Sequence, residues 1–175
     1  MNATNKEELA VVQRASDNKY NLIDTKGNIL LDEWYKWVDD FRDGFARVQR
    51  KEDKQYNFID KDGKFLSEQW FEWADDFCDG FALVGRENSQ YNYIDKQGKI
   101  LSDEWFKWLD LFRGEFVRVQ RFDGSMNFLN KDGKILSNEW FRWVNYFDEY
   151  DLAVVERTNG ERCKIDKTGK IVVRK

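Results

Sequence analysis

A chain of 175 residues is long enough to bury a real core, and its eight Trp, fourteen Phe and seven Tyr exclude a disordered composition. It has no His, which removes the usual Ser-His-Asp and Cys-His catalytic arrangements and the commonest zinc and iron ligand sets; its two cysteines, Cys78 and Cys163, make neither a CxxC pair nor a disulfide framework. The net charge of −4 offers no basic excess for a nucleic-acid backbone, residues 1–10 lack the apolar core of a secretory signal, and no apolar run approaches the ~20 residues of a membrane span. The expectation is a cytoplasmic protein without membrane, nucleic acid, metal or other cofactor.

Residues 1–8 are polar and would suit the end of an array. Leu9 then opens LAVVQR, and this segment (A) returns as FARVQR from Phe45, FALVGR from Phe81, FVRVQR from Phe116 and LAVVER from Leu152. Segment B follows each A, as YNLID from Tyr20, YNFID from Tyr56, YNYID from Tyr91, MNFLN from Met126 and CKID from Cys163. Segment C closes the unit as NILL, KFLS, KILS, KILS and KIVV. The period is about 35 residues, and a repeat of that length means stacked supersecondary units. Segments A and B alternate, Ala82 and Val84 against Phe81 and Leu83, and are rich in β-branched and aromatic residues, which predicts strands. The glycines between B and C (Gly27, Gly63, Gly98, Gly133 and Gly169) supply the positive φ of a tight hairpin turn. The fold class predicted is all-β: one domain over 1–175 made of five three-stranded antiparallel meanders, in units of about 8–31, 45–67, 81–102, 116–137 and 152–173. Such an array either stays open as an arc or closes into a small propeller-like ring, and the open form is favoured because only four linkers join five units.

Those four linkers are Trp-rich: EWYKWVDDF, QWFEWADDF, EWFKWLDLF and EWFRWVNYF. Ser67, Ser102 and Ser137, with Asp32 in the first copy, stand where a helix N-cap would stand. One helical turn at SxEWF followed by an extended stretch is therefore expected, with the aromatic columns as packing between units.

The run FIDKDGK from Phe58 and the run DGFARV from Asp43, with their counterparts in the other copies, resemble the WG-repeat (KWG-repeat) proteins over nearly the whole chain. Tyr-Asn replaces the Trp-Gly pair of that family at Tyr20, Tyr56 and Tyr91, with Met-Asn at Met126. The resemblance implies β-repeats without known catalysis, and it transfers no ligand and no binding residue.

Most residues with chemical potential recur in register, which favours architecture over chemistry. Asp24, Asp60, Asp95 and Asp166 precede the Gly turns and read as turn caps rather than calcium ligands. The pairs Asp39-Asp40 and Asp75-Asp76 read as a solvated face. Arg14, Arg50, Arg86, Arg121 and Arg157 end the A segments and Asn21, Asn57, Asn92 and Asn127 open most B segments; facing one groove, they would form a row of donors. Register breaks at Arg113-Gly114-Glu115 and at Asp148 to Asp151. No catalytic residue is assigned. A non-catalytic scaffold that captures or inhibits a partner protein is expected, with Arg50, Arg86, Arg121, Arg113, Glu115 and Tyr150 as candidate contacts. The alternative is a carbohydrate-binding module using Trp34, Trp70, Trp105 and Trp140 as stacking platforms, and the third reading is a sponge for a small anionic ligand.

Overall fold

The computed structural model describes residues 9–172, so the polar segment expected to cap the array lies outside the described residues. Among those residues all regular structure is strand: β1 (Ala10–Arg14), β2 (Lys19–Ile23), β3 (Trp37–Val38), β4 (Ala46–Gln49), β5 (Tyr56–Ile59), β6 (Trp73–Ala74), β7 (Phe81–Arg86), β8 (Gln90–Asp95), β9 (Trp108–Leu109), β10 (Phe116–Gln120), β11 (Met126–Asn130), β12 (Trp143–Phe147), β13 (Leu152–Glu156), β14 (Arg162–Asp166) and β15 (Ile171–Val172). They form five small sheets in the orders β1-β2, β3-β4-β5, β6-β7-β8, β9-β10-β11 and β12-β13-β14-β15, none of them closed. The chain packs as two compact units, one holding residues 9–87 with 93–99, the other 88–92 with 100–172.

The tandem array of antiparallel meanders is present, and the structure refines which segments make its strands. Segments A and B pair as predicted, with Ala46 opposite Ile59 and Val119 opposite Asn127. The third strand of each later sheet comes from the Trp-rich linker: Trp37 and Val38 lie opposite Gln49 and Val48, and Trp108 and Leu109 opposite Gln120 and Val119. Segment C pairs with B in single bridges such as Ile59–Phe65 and Leu129–Ile135, and among the described residues becomes a strand, β15, only in the last repeat.

The helical turn expected in the linkers is not formed; Ser67 to Trp70 and its counterparts are irregular, with a bend at Glu68, Asp103-Glu104 and Asn138-Glu139. The reason lies in the Asn column. Asn21, Asn57, Asn92 and Asn127 are completely buried. Asn127 Nδ2 donates to the carbonyls of Ser137 (2.8 Å) and Glu139 (3.1 Å), and its Oδ1 accepts from the amides of Phe128 (2.8 Å) and Ser137 (3.3 Å). Asn21 repeats this arrangement on Leu31 and Glu33. The linker backbone is thus bound to a side chain ten to twelve residues earlier, so its carbonyls are spent before a helical bond can form. Each serine hydroxyl accepts the amide two residues on, as Ser67 does from Gln69 at 3.0 Å, and caps a bend instead of a helix. The Asn column is therefore mortar, not a row of ligand donors.

Each unit has its own core. In the first, Leu22, Leu31, Tyr35, Val38, Ala46, Val48 and Ile59 are buried together; in the second, Met126, Phe128, Phe141, Val144, Ala153, Val155 and Ile165. The phenylalanine that ends a linker seals the preceding repeat: Phe77 lies 4.9 Å from both Phe45 and Phe58, and Phe147 lies 5.3 Å from Phe116 and 4.8 Å from Phe128. The turn glycines add a contact between successive repeats. A Cβ on Gly98 (φ +79°) would fall on the Leu66 carbonyl, and one on Gly133 (φ +79°) on the Leu101 carbonyl. Gly27, in the first repeat, has a positive φ but nothing within 4 Å of its missing Cβ.

Candidate functional site

Each linker carries two tryptophans three positions apart, and the fold treats them oppositely. The first of each pair (Trp34, Trp70, Trp105 and Trp140, the stacking platforms expected from sequence) is half-buried. The arginine ending segment A of the same repeat lies on its ring: Arg14 is 4.4 Å from the Trp34 centroid, Arg50 4.0 Å from Trp70 and Arg121 3.6 Å from Trp140. Phe65 packs on Trp70 at 5.3 Å and Phe106 on Trp140 at 6.5 Å. A carboxylate then holds the guanidinium. Arg121 makes a two-pronged bridge to Glu104 (2.6 and 2.8 Å), and Arg157 meets Glu139 at 3.0 Å. Charge-assisted bonds to Glu104 push the Arg121 pKa up. Trp34, Trp70 and Trp140 and their arginines thus occupy one another, which leaves those rings little face for an incoming ligand.

The second tryptophan of each pair is exposed: Trp37 by 47%, Trp73 by 40%, Trp108 by 38% and Trp143 by 40%. Two-residue pairing explains this. Side chains alternate across a strand, so with Val38, Ala74, Leu109 and Val144 in the core the preceding tryptophan must point out. That aliphatic column is the sequence signal for the outward tryptophans, and a helical turn in the linker would mask it.

Polar groups fix these outer rings. Trp37 Nε1 donates to Asp39 Oδ1 at 2.5 Å, and Arg47 bridges Asp39 at 2.7 Å while donating to the Ala74 carbonyl of the next repeat. In the second unit Arg118 bridges Asp110 at 2.7 Å and donates to the Val144 carbonyl at 3.3 Å. Tyr146 stands where the first unit has Asp76. Arg42 and Arg47 meet Asp76 at 3.0 and 3.7 Å, whereas Arg113 and Arg118 both lie 3.7 Å from the Tyr146 ring centroid. Desolvation pushes the Asp110 carboxyl up, but hydrogen bonds from Tyr146 and Arg118 outweigh it and hold the group below its ordinary range.

Of the remaining sequence candidates, Arg86 is exposed at the end of β7, and Arg113 and Glu115 are exposed in the tight turn closed by the Arg113–Phe116 backbone bonds. Arg113 meets Tyr146, not Tyr150; Tyr150 is 74% exposed in the turn that Asp148 caps through the amides of Tyr150 and Leu152. The turn-capping aspartates behave as read: Asp60 Oδ1 accepts the amides of Asp62 and Lys64, both at 2.9 Å. Cys78 and Cys163 are free thiols, and burial pushes the Cys163 pKa up. Among the described residues no group of three or more His, Cys, Asp and Glu side chains is placed to hold a metal ion.

No curated protein matches the chain. Among solved structures, the computationally designed Ika8 protein superposes with a TM-score of 0.40 at 16% identity, over 98% of this chain and 59% of that one. BamB from Moraxella catarrhalis superposes at 0.37 and 11% identity, over 97% and 61%, and the WD40 beta propeller domain of Doa1 at 0.36 and 12%, over 97% and 65%. The chain thus spans less than two thirds of each of these three proteins. Family comparison gives a match at the level of one repeat: residues 22–54, running from within segment B through the first linker and past the next segment A, match the WG containing repeat, the family that the FIDKDGK and DGFARV motifs resemble.

Proposed function

We propose that this chain is a non-catalytic repeat scaffold that binds a partner protein through its outer tryptophans. The observation that carries the reading is the exposure, in register, of Trp37, Trp73, Trp108 and Trp143 by 38–47% on strands whose opposite face is core. Tryptophan presented on a rigid strand offers large contact area at little entropic cost, the property that makes it an interface anchor. Two further exposed side chains favour a protein over a glycan. Leu111 is 66% exposed at the position occupied elsewhere by Asp40 and Asp76, and Tyr150 is 74% exposed in a turn that departs from the repeat. A large aliphatic side chain gains little from a sugar's hydroxyls and much from burial in a protein interface.

The test is to pan a random peptide display library against the native chain and against a variant with all four outer tryptophans changed to Ala. The reading predicts a consensus enriched on the native chain and lost on the variant. Absence of a consensus, together with saturable binding on a glycan array that the same variant loses, would replace the protein partner with a carbohydrate.

A further inference from the structure

The two units present the same outer tryptophans in opposite electrostatic settings. Three positions flank each one: the residue before it and the second and third after it. In the first unit these hold Lys36, Asp39 and Asp40 around Trp37, and Glu72, Asp75 and Asp76 around Trp73, five carboxylates against one lysine. In the second they hold Lys107, Asp110 and Leu111 around Trp108, and Arg142, Asn145 and Tyr146 around Trp143, one carboxylate against two cations. The contrast survives pairing. Asp39 and Asp76 are bridged by Arg47 and Arg42, yet Asp40, Glu72 and Asp75 remain exposed and outside any ion pair described. In the second unit the one carboxylate, Asp110, is bridged by Arg118.

Resting on the docking role proposed for the outer tryptophans, we infer that the first unit's outer face, Trp37 and Trp73 with their carboxylates, takes a cationic extended segment of the partner protein, whose arginine or lysine side chains lie on the indole rings. The chain shows the chemistry within itself: Arg121 lies on Trp140 and is held by Glu104, a guanidinium between an indole and a carboxylate. The first unit's outer face provides an indole and carboxylates on its surface, and the guanidinium comes from the partner. Cation–π contact orients the segment, and the carboxylates steer it at long range, an effect that salt screens. In the second unit the carboxylates beside the outer tryptophans are already paired, Asp110 with Arg118 and Glu156 with Arg142, and Arg118 itself lies 5.6 Å from the Trp108 ring, so this face serves as an internal control.

The experiment titrates the full chain with a fluorescein-labelled Arg-Gly octapeptide and with its Glu-Gly and Ser-Gly counterparts, at low and high salt. The expected result is saturable binding of the Arg-Gly peptide alone. Trp37→Ala with Trp73→Ala should weaken it about tenfold, Glu72→Gln with Asp75→Asn several-fold with a flatter salt dependence, and Trp143→Ala less than about twofold. Equal affinity in the Trp37→Ala, Trp73→Ala variant would reduce the effect to diffuse charge and overturn the inference. Binding of the Ser-Gly or Glu-Gly peptide in place of Arg-Gly, lost in that variant, would overturn the cationic class while leaving the docking surface standing. Absence of binding by all three overturns the inference, and the library selection above then decides the docking role separately.

Discussion

Trp140 and Trp143 lie three residues apart in one linker and have opposite surroundings. Trp140 is packed against Phe106 and covered by the Arg121 guanidinium, itself held by Glu104. Trp143 begins β12 and is 40% exposed. The same division recurs in every linker, so recurrence of a residue does not by itself separate architecture from surface. Direction across the strand does. A column that faces inward is repeated because it packs one repeat against its neighbour, and a column that faces outward is not needed for that packing.

Substitutions can break this comparison, and the largest effects belong inside. Asn127→Ala would leave up to four backbone groups without their partner and should cost roughly 3–5 kcal/mol, read by chemical denaturation. Gly133→Ala should cost several kcal/mol because its Cβ meets the Leu101 carbonyl, while Gly27→Ala should cost only about 1 kcal/mol for its positive φ. Trp140→Ala follows, at about 3 kcal/mol for a partly buried ring, and Arg121→Ala at about 1 kcal/mol, since its bridge is partly solvent-screened. Trp143→Ala should cost less than Trp140→Ala, about 1 kcal/mol, because Trp143 is already 40% exposed. A smaller effect comes from acid. The Asp110 pKa is depressed in the folded state, so its contribution is fully present above the unfolded value of about 4 and is lost as pH falls through the folded value. Asp110→Asn should therefore flatten the acid limb of the stability–pH curve.

Much of this fold is legible in the residues. The alternation of Phe81 to Val84 predicts β7 and its buried face, and Gly98 predicts a turn that does have φ +79°. The linkers are harder. SxEW carries a helix-start pattern, and only the contact of Asn127 with residues ten and twelve positions later turns it into a bend. That contact exists only once the sheet has formed, so local propensity cannot anticipate it. The two tryptophan columns of a linker are told apart by pairing of the same kind. A helical turn would leave Trp70 as available as Trp73, whereas pairing of Ala74 with Val84 fixes Trp73 outward and leaves Trp70 to Arg50. Arg50 and Arg121, expected as partner contacts, are drawn to those inner rings instead.

The outer tryptophans are proposed as the recognition anchors of the scaffold. The most direct test of that role is the affinity of a peptide selected on the native chain for the folded variant in which Trp37, Trp73, Trp108 and Trp143 are all Ala. We expect a loss of at least about a hundredfold, as when interface anchors are removed, in a variant that still unfolds cooperatively. Unchanged affinity in a variant that folds normally would contradict it.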